Sequence, residues 1–477
     1  MAATRSKTKR TAAAETVDKE VTTAKAGPGA GANWANQNEA VADGLISGFM
    51  RRTVLTAATM IYGQLILVLW YINKHRNGSF IEFWEEEVSA DPVAALMQGF
   101  ILPQDVSILA WKFIGVFFAV SLTLMRLLPG AIHEGPVTPT GHVPKYIANG
   151  VSAFIVHVGL FLAGGHFELY KLSICYDELA SILNGLNYIA LVFVVVLYVK
   201  GIVAPSTTDS GVSGNPIFDM FWGTELYPRI FGFDVKQFTN CRFGMMYWAI
   251  ATISCAAAAA DRNNGVVPLT NMTTTVLQLI YIFKFFWWET GYFNTIDIMQ
   301  DRAGYYICWG CLVYLPTVYT SMSVYMVDHY NYLDNQPILA QAIILAGMFC
   351  VWANYDADRM RVDFRRAKGK CDIWGAPAEY ITATYTTADG ETRKSLLLVS
   401  GWWGISRHFH YIPEIMASFF WSCGGGISFM PMFYAIYLTI LLVDRSVRDD
   451  SRCRSKYGAD WEKYTSRVPY KIVPYVF

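Results

Sequence analysis

Ten apolar stretches divide this sequence, and most approach the length that a helix needs to cross a bilayer. That length is about 20 residues, because no water in the hydrocarbon can satisfy backbone N–H and C=O groups. The stretches cover residues 53–72, 106–128, 148–165, 182–199, 243–260, 272–288, 305–327, 337–354, 411–426 and 428–443. The sequence therefore predicts an all-α, polytopic membrane helix bundle of about ten transmembrane helices, with eight or nine as the alternative because the last two stretches are short.

Composition agrees with a chain whose main partner is the lipid bilayer. Of 477 residues, 53% are hydrophobic and only 16% are charged, and the net charge is zero. A nucleic-acid-binding protein needs a basic face to displace the counterions of the phosphates. We therefore expect no nucleic acid partner.

Arginine and lysine near the apolar stretches predict the orientation in the membrane. Arg51 and Arg52 adjoin the first stretch, which favours a cytosolic N-terminus. With ten spans, the C-terminus and the basic segments 355–410 and 444–477 also face the cytosol. Residues 1–45 are rich in Ala, Thr, Gly and Lys without an apolar run, which predicts a disordered cytosolic tail ahead of one multi-span domain, 46–477.

Cysteine and histidine give no metal or disulfide signal. The nine cysteines are odd in number and lie mostly in apolar stretches. Cys308 and Cys311 form a C-x-x-C inside such a stretch, where small apolar helix residues are the simpler interpretation. His157 and His166 lack partners at ligand spacing, so no metal is assigned.

Two basic segments and the stretch between them suggest a nucleotide site. Arg361, Arg365 and Lys368 share one helical face if the eighth span continues beyond the membrane. Aromatic residues are dense in "LLLVSGWWGISRHFHY", from Leu396, and cations in "RDDSRCRSKYGADWEKY", from Arg448. Guanidinium groups bind phosphate oxygens through two hydrogen bonds, and planar rings stack on bases. Anchoring to anionic lipid is the alternative.

Charged residues at the junction of the sixth and seventh spans form a second unusual group. Lys284, Glu289, Asp297 and Asp301 lie there among aromatic residues. A carboxyl in an apolar pocket holds its proton and can act as a general acid. An ion pair between one of these carboxylates and Lys284 or Arg302 is the structural alternative.

Three motifs resemble one family, the sterol reductases of the endoplasmic reticulum. "LLLVSGWWGISRHFHY" and the C-terminal "LLVDRSVRDDSRCRSKYGADWEKYTSRVPYKIVPYVF" are similar to its C-terminal part, and "SGNPIFDMFWGTELYPRI" to its other signature. "ETGYFNTIDIMQDRAGYYICWGCLVYLP" and "GPVTPTGHVPKY" resemble its 7-dehydrocholesterol reductase branch rather than its C14 reductases. The resemblance runs from about residue 45 to the C-terminus.

This resemblance implies an NADPH-dependent oxidoreductase of sterol biosynthesis in the endoplasmic reticulum membrane, which reduces the C7–C8 double bond of 5,7-diene sterols. It implies a ten-helix fold with the NADPH pocket in residues 355–477. The implied cofactor contacts are Arg361, Arg365, Leu398, Trp403, His410, Tyr411, Asp449, Cys453, Arg454, Ser455, Lys456, Tyr457 and Tyr464. Arg361 stands where the family often has Lys, and His410 where it often has Asn.

The chemistry also requires a proton donor, because an alkene is a poor hydride acceptor until it is protonated. Glu289, Asp297 and Tyr319 are the candidates, with Tyr305 behind them. The alternative functions are a C14 sterol reductase, a methyltransferase, a transporter and a non-catalytic protein like the lamin B receptor. A sterol isomerase is a possible partner.

Overall fold

The computed structural model describes residues 50–138, 140–329, 331–386 and 392–477. The predicted tail, 1–45, lies outside these residues. A helix forms at each of the ten predicted stretches, because the apolar side chains face lipid or neighbouring helices while the backbone bonds to itself. In chain order these helices are α1 Thr53–His75, α2 Ile108–Leu127, α3 Gly150–His166, α4 Leu179–Val203, α5 Gln237–Arg262, α6 Leu269–Trp287, α7 Tyr305–Tyr325, α8 Pro337–Arg366, α9 Tyr411–Ser422 and α10 Phe429–Tyr457. A further helix, α11 Ala459–Arg467, follows.

Seven helices in the described part of the chain are long and apolar enough to cross a membrane. The three that fall outside that group are α3, with 17 residues, α6, with 19, and α9, with 12. The predicted class, a polytopic helical membrane protein, is therefore confirmed. The number of ten spans stays a prediction.

Short elements connect the long helices. Four two-stranded antiparallel hairpins interrupt the otherwise helical chain in the described ranges, formed by Ala131–Glu134 with Lys145–Ala148, Arg229–Ile230 with Phe233–Asp234, Asp372–Ile373 with Ala376–Pro377, and Tyr380–Thr386 with Thr392–Leu398. The short helical segments are Met50–Leu55, Phe80–Phe83, Trp84–Val88, Pro92–Met97, Pro103–Asp105, Ile174–Asp177, Pro216–Trp222, Glu289–Tyr292, Ile296–Met299, Asn331–Asp334, Trp402–Ile405 and Cys423–Gly425. Among the hairpins, the last is the longest and pairs Tyr380 with Leu398.

The last helices of the bundle pack around α9. This short helix contacts α6, α8 and α10, and α6 also packs along α8. Both α5 and α7 begin with π-helical turns, Gln237–Gly244 and Tyr305–Tyr314, and these turns pack against each other. Wide helical turns of this kind are frequent at functional sites.

Helix α8 is longer than its apolar stretch and carries charged residues beyond it. It continues to Arg366, so Arg361 and Arg365 lie one turn apart on the same face. Lys368 lies after the helix end, in a turn with φ 52°. The predicted alignment therefore holds for the two arginines and is wrong for Lys368.

Close contact between α6 and α8 depends on a glycine, which gives the first prediction. A Cβ on Gly347 would lie 2.6 Å from Leu277 Cδ2. Gly347→Leu should therefore separate the two helices and destabilise the protein by about 1–3 kcal/mol, the usual range for overpacking. The measurement is the thermal unfolding midpoint in detergent. Gly115→Leu is the control, because a Cβ on Gly115 meets no atom within 4 Å. Equal midpoints for the two variants would contradict the prediction.

Candidate functional site

The predicted cofactor residues come from four elements that meet at one end of the bundle. These elements are the C-terminal turns of α8, segment 398–411, the C-terminal half of α10, and α11. We call this region the polar end. Gly401 permits the sharp turn into the aromatic part of the segment, because its φ of 61° is one that side chains with a Cβ rarely adopt.

Arg361 is held against an aromatic ring on this face. Its guanidinium lies 4.2 Å from the centre of the Trp403 ring, and its Nη2 lies 3.2 Å from Asp358 Oδ1. The Trp403 indole is fixed in turn, because its Nε1 donates to the Ala357 carbonyl at 2.8 Å. Leu398 packs in the same small hydrophobic cluster as Trp403. One wall of the polar end is therefore a cation lying on an aromatic plane.

Two adjacent carboxylates, Asp449 and Asp450, lie close to the cations at the end of α10. Asp449 pairs with Arg452 and lies 3.7 Å from His408 Nε2. Asp450 lies 3.5 Å from Arg407 and 3.7 Å from Arg454. The basic run at the end of α10 is thus tied to segment 398–411, because buried or partly buried cations need nearby negative charge.

Two neighbouring histidines add polar atoms without adding charge. Burial lowers the pKa of His408 to about 4, and burial followed by the positive charge of Arg361 lowers the pKa of His410 well below its usual value. Both rings are therefore neutral at pH 7. His408 stacks on Tyr411 at 5.0 Å. Within the described structure, His410 Nδ1 is buried without a hydrogen-bond partner, which leaves it open to a ligand atom.

The remaining predicted contacts line the outer side of the polar end. Lys456 Nζ lies 4.0 Å from the centre of the Tyr385 ring, and the Tyr457 hydroxyl lies 3.4 Å from Ser395 Oγ. Cys453 Sγ lies 3.8 Å from Asp449 Oδ2.

Arg365 of α8 and the predicted contact residues of α10 and α11 lie on the same side of the bundle. Arg365 lies within electrostatic range of Tyr457 and Tyr464, and Tyr464 is buried in α11. Arg454, Ser455 and Lys456 are exposed. The structure therefore brings Arg365 and the α10 cations to one face.

The polar end fits a dinucleotide that carries phosphates. Exposed or half-buried cations are available for phosphate oxygens, the aromatic rings offer flat surfaces, and His410 Nδ1 offers a hydrogen bond. The cations are Arg361, Arg365, Arg454 and Lys456, and the rings are Trp403, Tyr411, Tyr457 and Tyr464.

Glu289 forms a buried ion pair. Its carboxylate binds Arg242 through both oxygens, and its Oε2 accepts from the Gly150 backbone N–H at 2.9 Å. Arg242 also donates to Asn149 Oδ1 at 2.6 Å. The Glu289 side chain is 2% exposed and that of Arg242 1%. This network joins the starts of α3 and α5 to the turn after α6.

Asp297 is paired as well. Its Oδ1 lies 2.9 Å from Arg445 of α10. Lys236 donates to the carbonyls of Ile298 at 2.6 Å and Asp301 at 2.8 Å. Burial, followed by the charge of Asp297, raises the pKa of Asp301 to about 7.

The two cations that were predicted to pair with these carboxylates, Lys284 and Arg302, bind other groups. Lys284 donates to Asn354 Oδ1 at 2.7 Å, and Arg302 donates to the Gly211 carbonyl at 2.7 Å. Arg242 and Arg445, which bind the carboxylates instead, were missed. Arg242 stands in an apolar helix, and that unusual position was a usable signal.

Tyr319 lies in a cluster of aromatic rings deep in the bundle. Its ring is 5.2 Å from that of Trp248 and 4.7 Å from that of Tyr434. Trp248 is 5.6 Å from Tyr281, which is 5.2 Å from Trp421. We call these five residues the aromatic cluster.

Tyr305 is placed differently from Tyr319. Its hydroxyl donates to the Met60 carbonyl at 3.2 Å and accepts from Gln64 at 2.8 Å. Its proton is therefore already engaged with the backbone of α1.

Comparison with known proteins gives a match over nearly the whole described chain. The Ergosterol biosynthesis ERG4/ERG24 family matches residues 48–477. A 7-dehydrocholesterol reductase of Arabidopsis thaliana is 47% identical over 420 residues, 86% of this chain and 94% of its own length. A 7-dehydrocholesterol reductase of Xenopus laevis is 37% identical, covering 77% and 79%. A delta(14)-sterol reductase of Methylotuvimicrobium alcaliphilum is 33% identical, covering 77% and 84%.

The buried pair of Glu289 and Arg242 gives the second prediction. Glu289→Gln should destabilise the protein by roughly 3–5 kcal/mol, because it leaves a buried guanidinium without its counter-charge. Thermal unfolding in detergent measures the change. The control is Glu134→Gln, which removes an exposed pair with Lys145, and its effect should stay below about 1 kcal/mol. A Glu289 variant as stable as the control would contradict the prediction.

Proposed function

The chain belongs to the ergosterol biosynthesis ERG4/ERG24 family, which confirms the predicted membership of the sterol reductases, and from that premise we propose that it reduces the C7–C8 double bond of 5,7-diene sterols with NADPH. The supporting observation is the 47% identity to the 7-dehydrocholesterol reductase of Arabidopsis thaliana across 94% of that protein. The delta(14)-sterol reductase is a more distant relative, at 33% identity.

The geometry of the polar end supports NADPH as the reduced nicotinamide cofactor. A bound nicotinamide would supply hydride. Arg365 and Lys456 would hold the 2′-phosphate, because both are exposed cations at the polar end, on the two helices that flank α9. Arg361 on Trp403 would hold a second phosphate, and His410 Nδ1 would take a hydrogen bond. The other predicted contacts surround these four residues.

The sterol needs a proton donor and a water-poor site. The aromatic cluster offers an apolar surface for a rigid ring system, and Tyr319 stands in it. Asp297 and Glu289 are each paired with an arginine. Among the three predicted donors, only Tyr319 is not paired with an arginine. A change in its protonation therefore leaves no arginine without a counter-charge. The proposed location is the endoplasmic reticulum membrane with both termini in the cytosol. A sterol isomerase partner remains a prediction.

The test of the function is expression in cells that accumulate 5,7-diene sterols. Sterols extracted from these cells should lose the ultraviolet absorbance of the conjugated diene, and membranes from them should do the same in vitro when NADPH is added. Cells carrying the empty vector are the control. Unchanged sterols would overturn the proposal, and saturation at C14 instead would assign the protein to the sister activity.

Recognition of the 2′-phosphate gives a narrower prediction. Arg365→Ala and Lys456→Ala should each raise KM for NADPH about tenfold or more, since charge-assisted contacts of this kind contribute about 1.5–3 kcal/mol. KM for NADH should change little, because NADH lacks that phosphate. Steady-state kinetics with both cofactors measures the ratio. Arg366→Ala is the control, because Arg366 is exposed on the same helix and pairs with Asp363. Equal effects on the two cofactors would contradict 2′-phosphate recognition.

A further inference from the structure

Glu414 is a half-buried carboxyl group that forms no ion pair in the described structure, a property it shares with the buried Asp219, Asp234 and Asp301. Glu414 stands in the first turn of α9, and Tyr281 of α6 donates its hydroxyl hydrogen to Glu414 Oε1. In the part of the chain that the structure describes, no lysine or arginine nitrogen lies within ion-pair distance of this carboxyl. Glu289 and Asp297 differ, because each is bound to an arginine.

This difference matters for proton transfer. When a carboxylate that is paired with a buried arginine gains a proton, the arginine loses its counter-charge. A buried charge without a partner destabilises the protein by several kcal/mol. Glu414 has no ion-paired arginine in the described structure; its partner is the Tyr281 hydroxyl. Its phenol partner can stay hydrogen-bonded to either form, since a tyrosine hydroxyl both donates and accepts.

Glu414 also lies between the two halves of the proposed site. It follows His410 and Tyr411 by one helical turn, and its backbone N–H approaches the His410 carbonyl at 3.4 Å. On the other side, the Tyr281 ring belongs to the aromatic cluster that contains Tyr319. Tyr281, Tyr319 and Glu414 are each half-buried.

A polar chain fixes Tyr281 in this position. Lys284 Nζ lies 4.9 Å from the centre of the Tyr281 ring and donates to Asn354 Oδ1 at 2.7 Å. Asn354 Nδ2 donates to the His410 carbonyl at 2.9 Å. The orientation of the Tyr281 hydroxyl is therefore coupled to the segment that would hold the cofactor.

We propose that Glu414, oriented by Tyr281, is the acid that protonates the sterol double bond, an inference that rests on the proposed function. The carboxyl O–H bond breaks and a C–H bond forms on one alkene carbon. A bound reduced nicotinamide would supply the hydride and its two electrons for the second C–H bond and would itself be oxidised. The Glu414 carboxylate then regains a proton from water. Tyr281 acts through Glu414 and is a positioning residue.

Isosteric substitution tests the role. Glu414→Gln keeps an oxygen that accepts from Tyr281 but has no acidic proton. We expect kcat to fall about 100-fold or more, the usual contribution of a general acid, with unchanged KM for NADPH and unchanged thermal stability. Glu414→Asp should restore part of the rate, and Tyr281→Phe should lower kcat by less than Glu414→Gln does. Glu379→Gln is the control, because Glu379 is exposed and pairs with Arg467 on the protein surface.

An infrared measurement reads the proton directly, without turnover. With the sterol bound, the difference between the infrared spectra of the wild-type protein and Glu414→Gln should contain the band of a protonated carboxyl that shifts in D₂O, because the proposed donor must carry its proton before the reaction. The absence of that band would overturn the role of Glu414. This readout is needed because other titratable and charged groups can shape a pH profile: Tyr281, Lys284, Asp358, Tyr434, Tyr437 and Arg445 on the helices packed against α9, and Tyr319 on α7.

The outcomes separate the two proposals. An inactive wild-type protein overturns the proposed function and the role of Glu414 with it. An active wild-type protein with an equally active Glu414→Gln variant overturns the role of Glu414 alone. Loss of kcat in Asp301→Asn but not in Glu414→Gln would assign the proton to Asp301. A rise in KM for NADPH without a fall in kcat would make Glu414 a cofactor-binding residue instead.

Discussion

The two carboxylates of Asp449 and Asp450 hold the polar end of this protein together. The end of α10 concentrates positive charge, and like charges on one helix repel each other. Asp449 pairs with Arg452 and lies 3.7 Å from the neutral His408 ring, while Asp450 lies near two guanidinium groups, one from α10 and one from segment 398–411. The Trp461 indole N–H, 3.2 Å from Asp450 Oδ1, attaches α11 to the same pair. These contacts explain why acidic residues occur inside a basic run just beyond an apolar helix.

The carboxyl groups of the bundle also differ in whether they form ion pairs. Glu289 and Asp297 each neutralise a buried or half-buried arginine and join segments that are far apart in the chain. Such pairs fix geometry, because breaking one leaves a charge without compensation. Glu414 bonds to a phenol instead and stands between the aromatic cluster and the polar end. A sterol reductase needs an acid on one side of its substrate and a hydride source on the other, and this placement suits the acid.

Much of the candidate site was predictable because it depends on local sequence. Arg361 and Arg365 share a helix face at a spacing of four residues, which follows from helical geometry once the helix is known to continue. Where the helix ends was harder to predict, and Lys368 falls in the turn beyond it. The partners of the acidic residues could not be predicted, because Arg242 is 47 positions from Glu289 in the chain. Glu414 was missed for the same reason, since Tyr281 is 133 positions away.

The sequence by itself determined the class of the fold and the family, and it predicted the stretches that would hold a cofactor. Hydropathy and motif spacing are properties of neighbouring residues, so they can be read from the sequence without any knowledge of packing. Only the tertiary structure decided which charges are neutralised, which face each arginine occupies, and that Glu414 binds a phenol rather than a cation. Those outcomes depend on distances between helices that are remote in sequence, and the energy of a buried charge changes steeply with such distances.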